Sequence, residues 1–108
     1  MGLFSKIFNK PTFDKNLEGV WISDIKDEAT ISNIGNVLMT FTNNGKLIYE
    51  IMDGDKLQRI NMVYWTSGDT LYSDQPSSPK QESTKYMFDN EDTLVLEFGG
   101  DKTKFKRQ

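Results

Sequence analysis

The segment MTFTNNGKLIYEI, residues 39–51, constrains the fold most, because it is typical of a β-hairpin whose turn decides which side chains share a face. A two-residue turn at Asn44 and Gly45 mixes apolar and polar residues on both faces. A three-residue turn over 43–45, with Gly45 in the left-handed bulge position, opposes only large apolar residues on one face. The opposed pairs are then Phe41 with Leu47, Met39 with Tyr49, and Val37 with Ile51. Since a slip of one residue turns every side chain to the wrong face, we predict the three-residue turn.

The same alternation recurs in short segments separated by turn residues. The predicted strands are residues 19–23, the two arms of the hairpin, and residues 58–65, 69–73, 84–89, 92–98 and 102–107. Such a sheet has one apolar face, and the chain offers no long helix to cover it. We therefore predict an all-β fold, an antiparallel up-and-down meander that curls and closes into a small barrel.

Three segments lie outside this pattern. Residues 24–35 fit either a short helix or a long loop, and residues 73–83 form a polar loop with two prolines that we expect to be mobile. Near the N-terminus, the apolar residues fall on one side of a short amphipathic helix that Pro11 ends. These residues are Leu3, Phe4, Ile7 and Phe8. We therefore divide the chain into an N-terminal helical arm, residues 1–12, and a barrel domain, residues 13–108.

Composition excludes several classes of function. The chain has no histidine and no cysteine, which removes the commonest general base, thiol nucleophiles and nearly all zinc and iron sites. We predict a protein that is not an enzyme and has no cofactor or metal. Thirteen basic and sixteen acidic residues give a net charge of −3, which argues against nucleic-acid binding. No segment approaches the length of a membrane span, and we expect a cytoplasmic location.

The stretch FDKNLEGVW, residues 13–21, resembles the opening of lipocalins and their calycin relatives. The succession of TFTNNGKLIY, SGDTLYS, NEDTLVLEF and KTKFKR is similar to small bacterial lipocalin-like domains. In that family a short helical turn leads into a first strand that carries Gly-x-Trp, which here ends at Trp21. The resemblance covers residues 13–108 and implies a lipocalin-like barrel with Trp21 plugging one end. It also implies that a basic residue near the last strand packs across this tryptophan. The candidates are Arg107, Lys104 and Lys106.

Six aromatic residues are expected to point into the barrel: Trp21, Phe41, Tyr49, Tyr64, Tyr86 and Phe98. They either line a pocket for a small hydrophobic ligand, with tyrosine hydroxyls orienting it, or simply form the core. An empty apolar cavity of about 300 Å³ costs about 7 kcal/mol. Because that rivals a domain's whole stability of about 5–15 kcal/mol, we expect a filled interior.

Two aromatic residues, Trp65 and Tyr72, fall on the outer face by alternation. They either anchor a protein interface or provide the apolar seat for the N-terminal helix.

Two functions are consistent with these features. The first is a non-enzymatic barrel that binds a small hydrophobic ligand or serves as a scaffold. The alternative is a cytoplasmic protein-binding module, such as an immunity or inhibitor protein, that uses an acidic surface against a basic partner. Residues 14–55 carry eight acidic residues and three lysines, which favours such a surface. For either function we expect a monomer.

Overall fold

The computed structural model describes residues 12–108, which form one closed antiparallel barrel of eight strands. A 3₁₀ helix, Lys15–Leu17, precedes the first strand, and one α-helix, α1 (Glu28–Ile34), separates the first two. The strands are β1 (Gly19–Ser23), β2 (Asn36–Phe41), β3 (Lys46–Asp53), β4 (Lys56–Ser67), β5 (Thr70–Asp74), β6 (Glu82–Asn90), β7 (Thr93–Phe98) and β8 (Asp101–Arg107). Each strand pairs with the next in sequence, and β1 pairs with β8. The predicted all-β, up-and-down barrel is confirmed.

The predicted N-terminal helix lies outside the described residues. Of the predicted arm, residues 1–12, the structure describes only Thr12, which forms an isolated antiparallel β-bridge with Thr66. The division of the chain after residue 12 therefore stays a prediction. Within residues 12–108, no helix is both long enough and apolar enough to cross a membrane.

The β2–β3 hairpin has the predicted register. Its three apolar pairs are Val37 with Ile51, Met39 with Tyr49, and Phe41 with Leu47. Gly45 has a φ of +84°, the left-handed conformation that the three-residue turn requires. Hydrophobic pairing therefore selected the register, as expected.

Trp21 closes one end of the barrel, which we call the closed end. Its side chain is fully buried, and its indole Nε1 donates to the carbonyl of Leu17 at 2.8 Å. The guanidinium of Arg107 lies 4.2 Å from the centre of the Trp21 ring. The same guanidinium donates to the carbonyls of Asn16, Glu18 and Glu91, at 2.8, 2.9 and 3.1 Å. Of the three basic candidates, Arg107 is the one that packs across the tryptophan.

Helix α1 lies at the opposite end of the barrel, which we call the open end. It forms within residues 24–35, which the sequence predicted to be either a short helix or a long loop. The carboxylate of Asp27 caps its N-terminus by accepting from the amide and the hydroxyl of Thr30. The Thr30 hydroxyl oxygen also accepts from the amide of Lys104 in β8 at 2.7 Å. At the other end of the helix, the Ser23 hydroxyl donates to the carbonyl of Gly35 at 2.9 Å. The helix is therefore attached to β1 and β8.

Alanine at Gly45 is expected to cost more stability than alanine at Gly54. Both glycines have a positive φ, +84° and +63°, in which an L-residue is strained by about 1 kcal/mol or more. Only at Gly45 does the new Cβ meet other atoms, namely the Phe13 ring at 2.6 and 2.7 Å. We expect Gly45→Ala to lose about 1–2 kcal/mol more than Gly54→Ala in urea unfolding. Equal losses would contradict the packing of Phe13 against Tyr64, whose ring centres lie 5.5 Å apart.

Asp27 is expected to contribute stability that disappears in acid. The hydrogen bond from the Thr30 hydroxyl holds the pKa of Asp27 below its ordinary value of 3.8. Because the pKa is lower in the folded chain, the contribution is complete above the unfolded-state pKa and is lost as pH falls through the folded-state pKa. Unfolding free energies of the wild type and Asp27→Asn, measured between pH 7 and pH 3, should therefore converge in acid. Asparagine can still cap the helix but does not titrate. A difference in unfolding free energy between the two proteins that stays constant with pH would contradict the contribution of the Asp27 charge.

Candidate functional site

A cavity of about 340 Å³ lies at the open end, beside α1. Part of its lining is apolar: Ile34, Met39, Leu47, Tyr49, Ile60, Met62, Leu71, Leu96 and Phe105. The rest is polar: Ser73, Gln75, Lys80, Glu82, Thr84 and Thr103. Met39, Leu96 and Phe105 are buried, whereas Lys80 and Glu82 are exposed. The cavity thus extends from the buried core to a polar rim.

The two kinds of lining occupy different sides of the cavity. Strands β2, β3 and β4 contribute only apolar residues and Tyr49, whereas five of the six polar residues come from β5, β6 and the loop between them. The Asp74 carboxylate connects the two ends of this loop, because it accepts from the amides of Gln75 and Lys80, both at 2.8 Å. The Lys80 ammonium lies 3.6 Å from the Glu82 carboxylate. The site therefore has an apolar wall on β2, β3 and β4 and an adjoining, mostly polar wall on β5, β6 and their loop.

Of the six aromatic residues that the sequence singled out, Tyr49 lines this cavity. Four others are buried in the core and are not part of the lining: Trp21, Phe41, Tyr64 and Tyr86. The side chain of Phe98 lies outside the described part of the structure. The inward direction of the four core residues is confirmed, while a part for any of the six in ligand binding stays a prediction.

The core tyrosine hydroxyls hold the closed end together. Tyr64 donates to the carbonyl of Thr42 at 2.8 Å, and Tyr86 donates to the carboxylate of Asp14 at 2.7 Å. Burial raises the pKa of each of these tyrosines to about 12, and the negative charge of Asp14 adds to the effect. Both hydroxyls therefore stay protonated near neutral pH and act as structural donors. In the cavity wall, burial likewise raises the pKa of Tyr49.

Sequence reasoning missed the polar part of the lining. A signal existed for Thr84 and Thr103, since each lies two residues from an inward aromatic, Tyr86 or Phe105, on the same face of its strand. Gln75 and Lys80 carry no such signal, because they belong to a loop whose path follows from the bonds to Asp74. Alternation alone could not direct them to the cavity.

The two outer aromatic residues form a pair. Trp65 and Tyr72 are directly opposed in the β4–β5 ladder, and their rings stack at 5.7 Å with an angle of 8°. Both are half-buried. Their use as interface anchors or as a seat for the N-terminal helix stays a prediction.

Within the described residues, no group of three or more carboxylate side chains is arranged to hold a metal ion. Among these residues, Arg59 forms an ion pair with Glu50, at 3.1 Å, and Lys80 forms one with Glu82.

Comparison with known proteins identifies the fold. No protein-family model and no curated protein matches the sequence. A crystal structure with a similar fold is that of a lipocalin-like protein from Bacteroides uniformis ATCC 8492, with a TM-score of 0.63 and 15% sequence identity. The match covers 86% of this chain and 99% of that one. The similarity to this structure and the eight sequentially paired strands, which close over Trp21, show that the chain has the lipocalin-like β-barrel fold.

Proposed function

We propose that the protein is a non-catalytic binding protein that takes up a small amphipathic molecule in the open-end cavity. The observation that carries this proposal is the division of the cavity into an apolar wall and a polar wall. A ligand with an apolar body and one polar end matches that division. At about 340 Å³, the cavity is at the small end of the range of ligand sites, about 300–1,000 Å³.

The energetics favour an occupied or hydrated cavity. A dry, closed cavity of this size would cost about 8 kcal/mol, which is comparable with the stability of a whole domain. Polar groups and an open rim allow water to enter, which removes much of that cost. Releasing this water from the apolar wall then favours the binding of an apolar group.

The polar wall indicates how the ligand lies. Thr84 and Thr103 are buried beside apolar residues near the base of the cavity. The Thr84 hydroxyl offers a donor and an acceptor, whereas the Thr103 hydroxyl donates to the carbonyl of Leu96 at 3.5 Å and offers an acceptor. Lys80 and Glu82 offer charge at the rim. An apolar body is therefore expected against Ile60 and Met62, with its polar group toward β5 and β6.

The alternative, a protein-binding module with an acidic surface, stays a prediction. Several acidic residues of the region 14–55 have structural partners: Asp14 accepts from Tyr86, Asp27 caps α1, and Glu50 pairs with Arg59. These bonds account for part of the acidic clustering without a partner protein.

Anilinonaphthalene sulfonate, an aromatic body with one anionic group, is a suitable probe of the cavity. We expect saturable fluorescence enhancement with one probe per chain. Met62→Trp should weaken binding about tenfold or more, which is a loss of about 1.4 kcal/mol, because the larger side chain occupies the cavity.

The matched control is Met87→Trp, the same change at a side chain that is 54% exposed and outside the lining. It should leave the affinity within about twofold. Absence of saturable binding, or equal effects of the two substitutions in folded proteins, would exclude the cavity as the binding site.

A further inference from the structure

One half of β4 has a neighbouring strand on one side only. β4 has 12 residues, whereas β5 has five and pairs only with Val63–Ser67. On its other side, β4 pairs with β3 from Lys56 to Val63. Among residues 12–108, no strand pairs with the second side of the first half of β4.

The direction of the backbone groups identifies which residues form this open edge. The amide of Tyr64 donates to the carbonyl of Gly45, at 2.9 Å, and therefore points toward the β3 side. Backbone groups alternate in direction along an antiparallel strand. The amides and carbonyls of Leu57, Arg59 and Asn61 therefore point away from β3, and we call these groups the β4 edge.

The β4 edge borders the cavity. Ile60 and Met62, which alternate with the edge residues, point into the cavity. The strand that pairs with the second half of β4 is β5. Ser73, near the end of β5, and Gln75, just beyond it, also line the cavity. Recognition by strand addition needs an unpaired edge for main-chain bonds and pockets for alternate side chains. Both requirements are met at this place.

The outward side chains of the edge indicate the chemistry of the added strand. The Arg59 side chain is 59% exposed although it is paired with Glu50, so a second carboxylate can reach it. Leu57 is 56% exposed beside its cross-strand neighbour Met52, which is 37% exposed. An acidic residue opposite Arg59 and an apolar or threonine-like neighbour would complement this outer surface.

A second copy of the chain fits less well. In a two-fold antiparallel pair centred on the three edge residues, Arg59 would lie opposite Arg59, and like charges directly opposed are destabilising. A peptide strand with an acidic residue at that position has no such conflict.

We propose that the β4 edge binds an extended peptide segment as an added antiparallel strand, with alternate apolar side chains entering the cavity and an acidic residue facing Arg59. This interaction goes beyond small-ligand binding and does not depend on it, because its main contacts are backbone hydrogen bonds.

The probe is a fluorescein-labelled peptide of about seven residues, the length of a typical strand. Valine alternates with threonine, and glutamate replaces the central threonine. In an antiparallel pair, residues with outward side chains direct their amides to β4. Methylation of the threonine and glutamate amides should therefore weaken binding about tenfold or more, as measured by fluorescence anisotropy. Methylation of the valine amides should change it by about twofold or less. Any other pattern, including no binding, would overturn the proposal.

Two substitutions at one residue test the protein side. Asn61→Pro removes an edge amide without affecting the ladder to β3, and proline is tolerated at strand edges. It should weaken peptide binding about tenfold, whereas Asn61→Thr, which keeps the amide, should change it about twofold or less. Leu57→Pro repeats the test if Asn61→Pro does not fold, as judged by circular dichroism. Unchanged affinity in a folded proline variant would overturn the proposal. The proposal would also be overturned if sedimentation showed the wild type to be a dimer and the proline variant to be a monomer.

Discussion

Closure of the sheet is the constraint on which the rest of the structure depends. A sheet with one apolar face and no long helix must bury that face against itself. Trp21 and Arg107 make this closure specific, because they are paired in the β1–β8 ladder and also stacked, cation on ring, at 4.2 Å. Such a contact contributes about 0.5–2 kcal/mol. The guanidinium also bonds to the carbonyls of Asn16 and Glu18, so the first turn, the first strand and the last strand are held together.

Inward and outward side chains alternate along the strands at both ends of the barrel, but the inward residues differ between the two ends. At the closed end the inward positions carry large rings that pack edge to face, such as Phe41 and Tyr64 at 5.0 Å. Toward the open end, smaller polar residues such as Ser73 and Thr84 replace them, and the volume they leave becomes the cavity. A chain of 108 residues can hold this volume because it is lined partly by polar groups and lies next to a helix attached at both ends. The filled interior expected from the sequence is therefore present at one end only.

The hairpin register and the strand order could be predicted from the sequence, because they follow from local alternation and short turns. The closing role of the tryptophan was implied by the resemblance of Gly-x-Trp to the lipocalin motif. The cavity could not be predicted. Alternation assigns Tyr64 and Tyr49 to the same face of the sheet, yet the first fills the core and the second lines the cavity. The depth of a side chain along the barrel axis depends on the tilt and stagger of the strands. Closure of the whole barrel sets both quantities, so no short segment of the sequence determines them. The choice among Arg107, Lys104 and Lys106 was open for a related reason, since it depends on where β8 meets β1.

The pairing of the first strand with the last also affects how the chain folds. The other seven ladders join strands that follow one another, whereas the contact of Arg107 with Asn16 joins residues 91 positions apart. Loop-closure entropy rises with separation, and proteins rich in distant contacts fold slowly. The sequential hairpins can therefore form before the barrel closes. Until it does, β1 and β8 are unpaired edges, and the chain is most exposed to misassociation during the interval before its two ends meet.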